Sequence, residues 1–124
     1  MWEELLEYLL IYFVPILVAA FVGGLVGIER EYRDKSAGFR TMILIATGSA
    51  LFTIMSGVLG SGDESTRIAA AIVTGVGFLG AGVVLKDDAN IRGITTAAAI
   101  WLVASLGMAA GAGEYWLVGS VIPY

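Results

Sequence analysis

The sequence lacks two of the most reactive side chains, because none of its 124 residues is a cysteine or a histidine. Their absence excludes disulfide bonds, thiolate nucleophiles, imidazole bases and the usual zinc and haem ligands. Most familiar enzyme chemistry depends on one of these groups, so we expect that the protein is not an enzyme. The net charge of -4 says little about partners, and nothing in the chain favours nucleic-acid binding.

Charged residues are also scarce, at 15% of the chain, whereas hydrophobic residues make up 58% and the mean hydropathy is +0.87. Soluble globular proteins are roughly 45–50% apolar, so the main solvent of this chain is expected to be a lipid bilayer. A helix of about 20 apolar residues crosses a hydrocarbon layer of about 30 Å. Four runs of this kind predict an all-α, polytopic membrane helix bundle: 5–28, 41–59, 68–85 and 94–110.

The two ends of the chain need separate interpretation. The first run has acidic Glu3, Glu4 and Glu7 beside it and no cleavage-site pattern, so we interpret it as a retained span and not a signal peptide. The last run, 115–124, is only about half a span, and either ends in the membrane interface or belongs to something longer. We therefore expect one transmembrane domain over 1–124, with no soluble domain in this chain.

Basic residues predict the orientation of the spans. Six of the seven lie in the loops after spans one and three, and only Arg67 lies near the loop after span two. Loops that are rich in lysine and arginine stay in the cytoplasm. We therefore predict that the N-terminus lies outside and that the loops after spans one and three lie in the cytoplasm.

Small residues recur at helical spacing in every span, which is typical of faces on which membrane helices pack closely. An alternative is a glycine-lined path or a broken helix in span three, where Gly75, Gly77, Gly80 and Gly82 are crowded together. The predicted packing residues are Gly24, Gly27, Ala46, Ala50, Gly57, Gly60, Ala70, Thr74, Gly77, Ala81, Ala104 and Gly107.

A weak internal repeat relates the two halves of the chain. The separation from Gly27 to Gly38 equals that from Gly82 to Gly93, and each pair brackets a charged loop. Two helical hairpins related by an axis along the membrane normal would produce this pattern. Chance coincidence is the alternative in a chain with 17 glycines.

The segment 27–41 is the most polar part of the chain. Most of it, including Glu31, is expected to be solvated or to meet lipid headgroups. Glu29, Arg30 and Arg40 differ because they abut apolar runs, where an unpaired charge costs several kcal/mol. We expect either a Glu29–Arg40 ion pair between spans one and two or snorkelling of each side chain to the interface.

The loop 86–96 is the second polar segment that could have a functional role. Asp87, Asp88 and Asn90 offer oxygen atoms of the kind that magnesium accepts, but their spacing matches no established cation loop. With Glu29 they are weak metal candidates, and magnesium is the one ion considered; no cofactor is expected. We favour a turn or capping role for Asn90, Thr95 and Thr96.

Arg67 lies one position before span three, and Asp63 and Glu64 lie four and three residues upstream of it. Local pairing with those acids is the simpler interpretation of this arginine. The alternative is a site on the outer side that handles cations or contacts a partner.

Four ordered blocks resemble the MgtC/SapB family of bacterial inner-membrane proteins: GIEREYRDKSAGFRT at 27–41, GSALF at 48–52, RIAAAIVTGVGFLGAG at 67–82 and NIRGITTAAAIW at 90–101. The resemblance implies a domain of usually five spans, often followed by a soluble cytoplasmic domain that this chain lacks. It also implies a link to growth under magnesium limitation and to survival of pathogens inside host cells. The family pattern and its neighbouring polar positions fall on Glu29, Arg30, Arg33, Lys35, Gly38, Arg40, Thr41, Arg67, Gly77, Gly80, Gly82, Arg92, Gly93, Thr95 and Thr96.

Two functions are consistent with these observations. The resemblance favours a non-enzymatic regulator that binds another membrane protein, such as the ATP synthase, or a second copy of itself. The alternative is a transporter or channel for magnesium or another divalent cation, which would need carboxylates or carbonyls within the membrane. No acidic residue lies deep inside any span, and Glu29 at the edge is the nearest candidate.

Overall fold

The computed structural model describes residues 1–60, 63–86 and 90–121, with backbone alone at 63–64 and 85–86. In these ranges the chain forms five helices and one short β-hairpin, and the first four helices are long and apolar enough to cross a membrane. The predicted all-α membrane bundle is therefore confirmed. The elements are α1 (Trp2–Tyr32), α2 (Phe39–Leu59), α3 (Asp63–Val83), β1 (Leu85–Lys86), β2 (Ile91–Arg92), α4 (Ile94–Gly111) and α5 (Tyr115–Val121).

Helix α1 contains a π-helical turn at Leu9–Phe13, between α-helical stretches at Trp2–Tyr8 and Val14–Tyr32. Pro15 lies two residues after this turn, and a proline ring collides with the carbonyl four residues before it, which here belongs to Ile11 within the turn. The wider π turn removes this conflict without ending the helix. Helix α1 therefore continues through Pro15. It starts before and ends after the predicted run 5–28.

The centre of the bundle is the contact of α1, α2 and α4 around Ala46. A Cβ atom on Gly107 of α4 would collide with the Ala46 carbonyl oxygen, and one on Gly23 of α1 would lie 3.0 Å from the Ala46 Cβ. One turn further along, a Cβ on Gly111 would lie 2.6 Å from the Ala50 carbonyl oxygen. These glycines let the backbones approach closely, which is the main source of attraction between helices in lipid.

Other predicted packing residues of these helices lie in two different environments. Ala104 is buried in the core, and a Cβ on Gly27 would collide with the backbone of Phe39. Gly57, in contrast, is exposed with nothing within 4 Å of a would-be Cβ, and Gly60 is the extended residue that ends α2. The packing prediction is wrong for Gly57, because it lies on the face of α2 that no described helix covers.

The predicted orientation of span three is also wrong. Ile72, Val76 and Gly80 are the buried residues of α3, and a Cβ on Gly80 would lie 3.5 Å from the Ala97 side chain of α4. At 100° per residue, positions two apart point in opposite directions. The predicted stripe lies on the opposite face and is exposed: Ala70, Thr74, Gly77 and Ala81.

Span three is nevertheless one continuous helix over Asp63–Val83, so the alternative of a helix broken at its glycines is wrong. The helix ends two residues earlier than predicted, because Leu85 pairs with Arg92 in the β-hairpin. Gly93 follows with φ of 91°, and a Cβ there would collide with the carbonyl oxygen of Val83. A glycine is therefore required where the hairpin turns into α4.

Candidate functional site

Arg30 is the buried charged side chain of the described core, with 8% of its surface exposed. It lies in the last turns of α1, at the end of the bundle that also holds the β-hairpin and the start of α4. Its Nε donates hydrogen bonds to the carbonyl oxygens of Ser36 at 3.1 Å and Ala37 at 3.2 Å, and its Nη2 donates to Ser36 O at 2.9 Å. Among the described residues, the guanidinium group is thus held by backbone carbonyls and not by a carboxylate.

The loop after α1 is folded back so that these carbonyls face Arg30. The amide of Lys35 donates to Arg30 O at 2.9 Å and that of Asp34 donates to Glu31 O at 3.1 Å, which is the Schellman arrangement. Asp34 has φ of 56° where glycine is usual, and Ala37 repeats the left-handed conformation at 54°. Both left-handed residues lie in the turn that joins α1 to α2.

Thr96 connects this loop to α4. Its Oγ1 accepts a hydrogen bond from Arg30 Nη2 at 2.5 Å and lies 3.2 Å from Ser36 Oγ. Thr96 is 5% exposed and belongs to the first turn of α4. We call Arg30, Ser36, Ala37 and Thr96 the arginine cluster; it ties α1, the following loop and α4 together.

Capping by threonine is therefore not what the structure shows at α4. The helix begins after Gly93 with no side-chain capping bond, and the Thr96 hydroxyl is used by Arg30 instead. Thr95 and Asn90 are exposed, and neither has a side-chain hydrogen bond to another described residue. The capping prediction is wrong for Thr96, because a buried guanidinium group is a stronger partner for a hydroxyl than a solvated helix end. The turn role of Asn90 stays a prediction.

The acidic residues of the first loop have partners that the sequence did not indicate. Glu29 pairs with Arg33 one helical turn away, at 3.5 Å, with both side chains about two-thirds exposed. The Glu29–Arg40 ion pair is thus not formed, and Arg40 is exposed. Glu31, expected to be merely solvated, accepts a hydrogen bond from the Phe39 amide at 3.1 Å and caps the start of α2.

The remaining predicted site residues do not belong to the arginine cluster. Two of them are glycines that precede helices, and the others are exposed or lie at the far end of the bundle. Gly38 precedes α2, where a Cβ would lie 2.5 Å from the Glu31 side chain, and Gly93 precedes α4. Arg67 lies at the opposite end of the bundle. Exposed on the surface are Lys35, Thr41, Gly77, Gly82 and Arg92.

The metal candidates are only partly covered by the described ranges. Asp87 and Asp88 lie outside them, while Glu29 is engaged with Arg33 and Asn90 is exposed. Within the described part of the chain, no three acidic residues come together as a metal site would require. Magnesium binding by this loop stays a prediction.

Ser36, Ala37 and Glu31 are the site residues that sequence reasoning missed. Ser36 and Ala37 contribute mainly carbonyl oxygens, which every residue possesses, so no residue type marks them. The one available signal was Arg30 itself, a cation that abuts an apolar run and needs acceptors. Which acceptors it finds depends on how the loop folds back.

A polytopic membrane helix bundle with a carbonyl-bound arginine at one end is the class of protein that this fold and site define. A model of the MgtC family matches residues 16–122. The chain is 46% identical over 104 residues to Protein MgtC of Salmonella typhimurium, and that alignment covers 84% of this chain and 45% of the relative. It is 47% identical over 98 residues to Protein MgtC of Brucella abortus, covering 78% of this chain and 41% of the relative.

The chain therefore belongs to the MgtC family, which confirms the resemblance inferred from its motifs. It spans less than half the length of the curated relatives it matches. No solved structure matches the chain. All members of the arginine cluster lie inside the residues that the family model matches.

Proposed function

We propose that this protein is a non-enzymatic regulator of the bacterial inner membrane that binds another membrane protein through the exposed face of α3. The observation that carries the proposal is the stripe of Ala70, Thr74, Gly77 and Ala81, which no described helix of the bundle covers. Close helix contact is the main advantage of small residues in lipid, where the hydrophobic effect between helices is weak. A face of small residues therefore favours contact with a partner helix over contact with lipid.

The arginine cluster has a supporting part in this proposal. It fixes the end of α1 against α4, and α4 in turn packs on α3 near Gly80. A bundle with a fixed internal geometry presents the exposed face of α3 in one orientation. In the proposal the cluster lies on the cytoplasmic side, as the distribution of basic residues predicts.

The biological role in the proposal is taken from the MgtC relatives and from the family resemblance. Curated relatives that match include proteins of Salmonella and Brucella. From the resemblance we carry over a role in adaptation to low magnesium and in survival of pathogens within host cells. Transport of magnesium is the less supported alternative, because the sequence places no acidic residue in the middle of any of the four spans.

Site-specific photo-crosslinking in living cells tests the proposed interface. A photoreactive residue in place of Gly77 should yield a discrete crosslink to one other membrane protein. The matched control is Phe21 of α1, which is 66% exposed on a different helix and should yield none. Equal crosslinking patterns from both positions would overturn the proposed interface.

Reconstitution separates the regulator from a transporter. Liposomes that contain the purified protein and a magnesium-sensitive dye should show no protein-dependent influx. Influx that is abolished by Glu29→Ala would reject the regulatory proposal in favour of transport. Arg33→Ala serves as the control, since it removes the ion pair of Glu29 but leaves the carboxylate.

A further inference from the structure

Helices α2 and α3 are in close contact over only part of their length. A groove of about 680 Å³ lies between them. On the α3 side it is lined by Ile68, Ile72, Gly75 and Val76, with Arg67 at one end. On the α2 side the lining includes Gly48 and Phe52, and almost the whole surface is apolar. This volume lies within the range of about 300–1,000 Å³ that is typical of sites for small molecules.

Among the described residues that line the groove, Arg67 is the one that carries a charge. It forms no hydrogen bond or ion pair with any side chain that the structure describes, and its own side chain is exposed. The side chains of Asp63 and Glu64, its predicted local partners, lie outside the described residues. It stands where α3 enters the apolar region, at the end of the bundle opposite the arginine cluster. A cation at this level attracts phosphate groups of lipids.

The length of the groove matches one acyl chain of a lipid. From Arg67 to Leu79, at about 1.5 Å of rise per residue, the α3 wall is about 18 Å long. The hydrocarbon core of a bilayer is about 30 Å thick, so the groove covers little more than one leaflet. An acyl chain also ends near the middle of the bilayer, so the groove has the length that one chain needs.

We propose that this groove binds one anionic phospholipid of the leaflet opposite the arginine cluster, with the phosphate group at Arg67 and one acyl chain between α2 and α3. The positive charge selects an anionic headgroup, and the apolar walls accept the chain. Gly48 and Gly75 leave the groove open, because nothing lies within 4 Å of a Cβ built on either residue. This site is separate from the small-residue face of α3, which points away from α2.

Native mass spectrometry of protein released from nanodiscs tests the proposal. The nanodiscs contain phosphatidylglycerol and phosphatidylethanolamine in equal amounts, and retained lipids are counted for each protein. The wild type should keep one phosphatidylglycerol in preference to phosphatidylethanolamine. Arg67→Gln should weaken this retention about five-fold, as expected for the loss of one cationic contact. Arg92→Gln, an exposed charge at the other end of the bundle, should leave it unchanged.

A second variant tests the chain site independently of the charge. Gly75→Leu puts a side chain into the groove and should abolish preferential retention. Its control, Gly77→Leu, adds the same side chain on the outer face of α3, where a Cβ also has nothing within 4 Å, and should retain the lipid. Circular dichroism of each variant establishes that the helices are formed, and Gly48→Leu replaces Gly75→Leu if the latter does not fold.

Three results would overturn the proposal. One is equal retention of phosphatidylglycerol by the wild type and Arg67→Gln. Another is equal retention of the two lipids by the wild type. The third is a dimer that disappears on Gly75→Leu, since a second copy of the chain would then be the occupant of the groove.

Discussion

Nη2 of Arg30 donates a hydrogen bond to Oγ1 of Thr96, which lies 66 residues further along the chain. This bond joins the end of α1 to the start of α4 at one end of the bundle. The other acceptors of this guanidinium group, within the part of the chain that the structure describes, are backbone carbonyls and not carboxylates. The arginine cluster and the packing around it should therefore contribute measurably to the stability of the bundle.

Thr96→Val removes the hydroxyl that Arg30 uses and keeps the shape of the side chain. A buried donor without its acceptor costs about 1–3 kcal/mol, so the free energy of unfolding should fall by that amount. Unfolding in mixed micelles, followed by circular dichroism, measures it. Thr95→Val is the matched control, since Thr95 is exposed and should change stability by less than about 0.5 kcal/mol. Equal losses for the two variants would contradict the assigned bond.

Arg30→Lys keeps the charge but loses the planar fork that reaches Ser36, Ala37 and Thr96 together. We expect a loss of about 2 kcal/mol in the free energy of unfolding, because lysine cannot reproduce these bonds from one nitrogen. Arg33→Lys changes an exposed ion pair and should have almost no effect. A stability for Arg30→Lys equal to that of the wild type would show that only the charge matters.

Gly107→Ala should destabilise the bundle because a Cβ there collides with the carbonyl oxygen of Ala46. Overpacking of this kind costs about 1–3 kcal/mol. Gly77→Ala should be neutral or stabilise α3 by up to about 1 kcal/mol, since it fills open space and favours the helix. The unfolding midpoints of the two variants test this prediction. A lower midpoint for Gly77→Ala than for Gly107→Ala would refute the packing of α2 against α4.

Glu31→Ala removes the acceptor that caps the start of α2 at Phe39. The expected loss is about 1 kcal/mol, from the capping bond and from the favourable position of an acidic group at a helix start. Glu29→Ala provides the comparison, because its exposed pair with Arg33 contributes about 0–1 kcal/mol. Glu31→Gln, which can still accept the bond, should recover much of the stability.

Cysteine labelling tests the orientation, and the chain has no native cysteine to interfere. Lys35→Cys and Glu114→Cys place single thiols at exposed positions at opposite ends of the bundle. An impermeant reagent applied to intact inner-membrane spheroplasts should label Glu114→Cys and reach Lys35→Cys only after permeabilisation. Labelling of Lys35→Cys alone would invert the predicted topology.

Hydrophobic length was sufficient to predict the four spans, because a chain segment must satisfy its own backbone hydrogen bonds in lipid and a helix does so by itself. The run 41–59 matches Phe39–Leu59 to within two residues, and 94–110 matches Ile94–Gly111 to within one. The motifs likewise identified the family. These conclusions depend only on local properties of the sequence.

The orientation of α3 and the partners of Arg30 depended on tertiary structure. Small residues mark a face that can pack, but two faces of α3 carry them, and contact at Gly80 and Ala97 decides which turns inward. Likewise, the sequence places a cation beside an apolar run, but the loop must fold through two left-handed residues before its carbonyls reach Arg30. The sequence by itself thus determined which segments enter the membrane, whereas the rotation of α3 and the choice of hydrogen-bond acceptors followed from long-range contacts that no local pattern encodes.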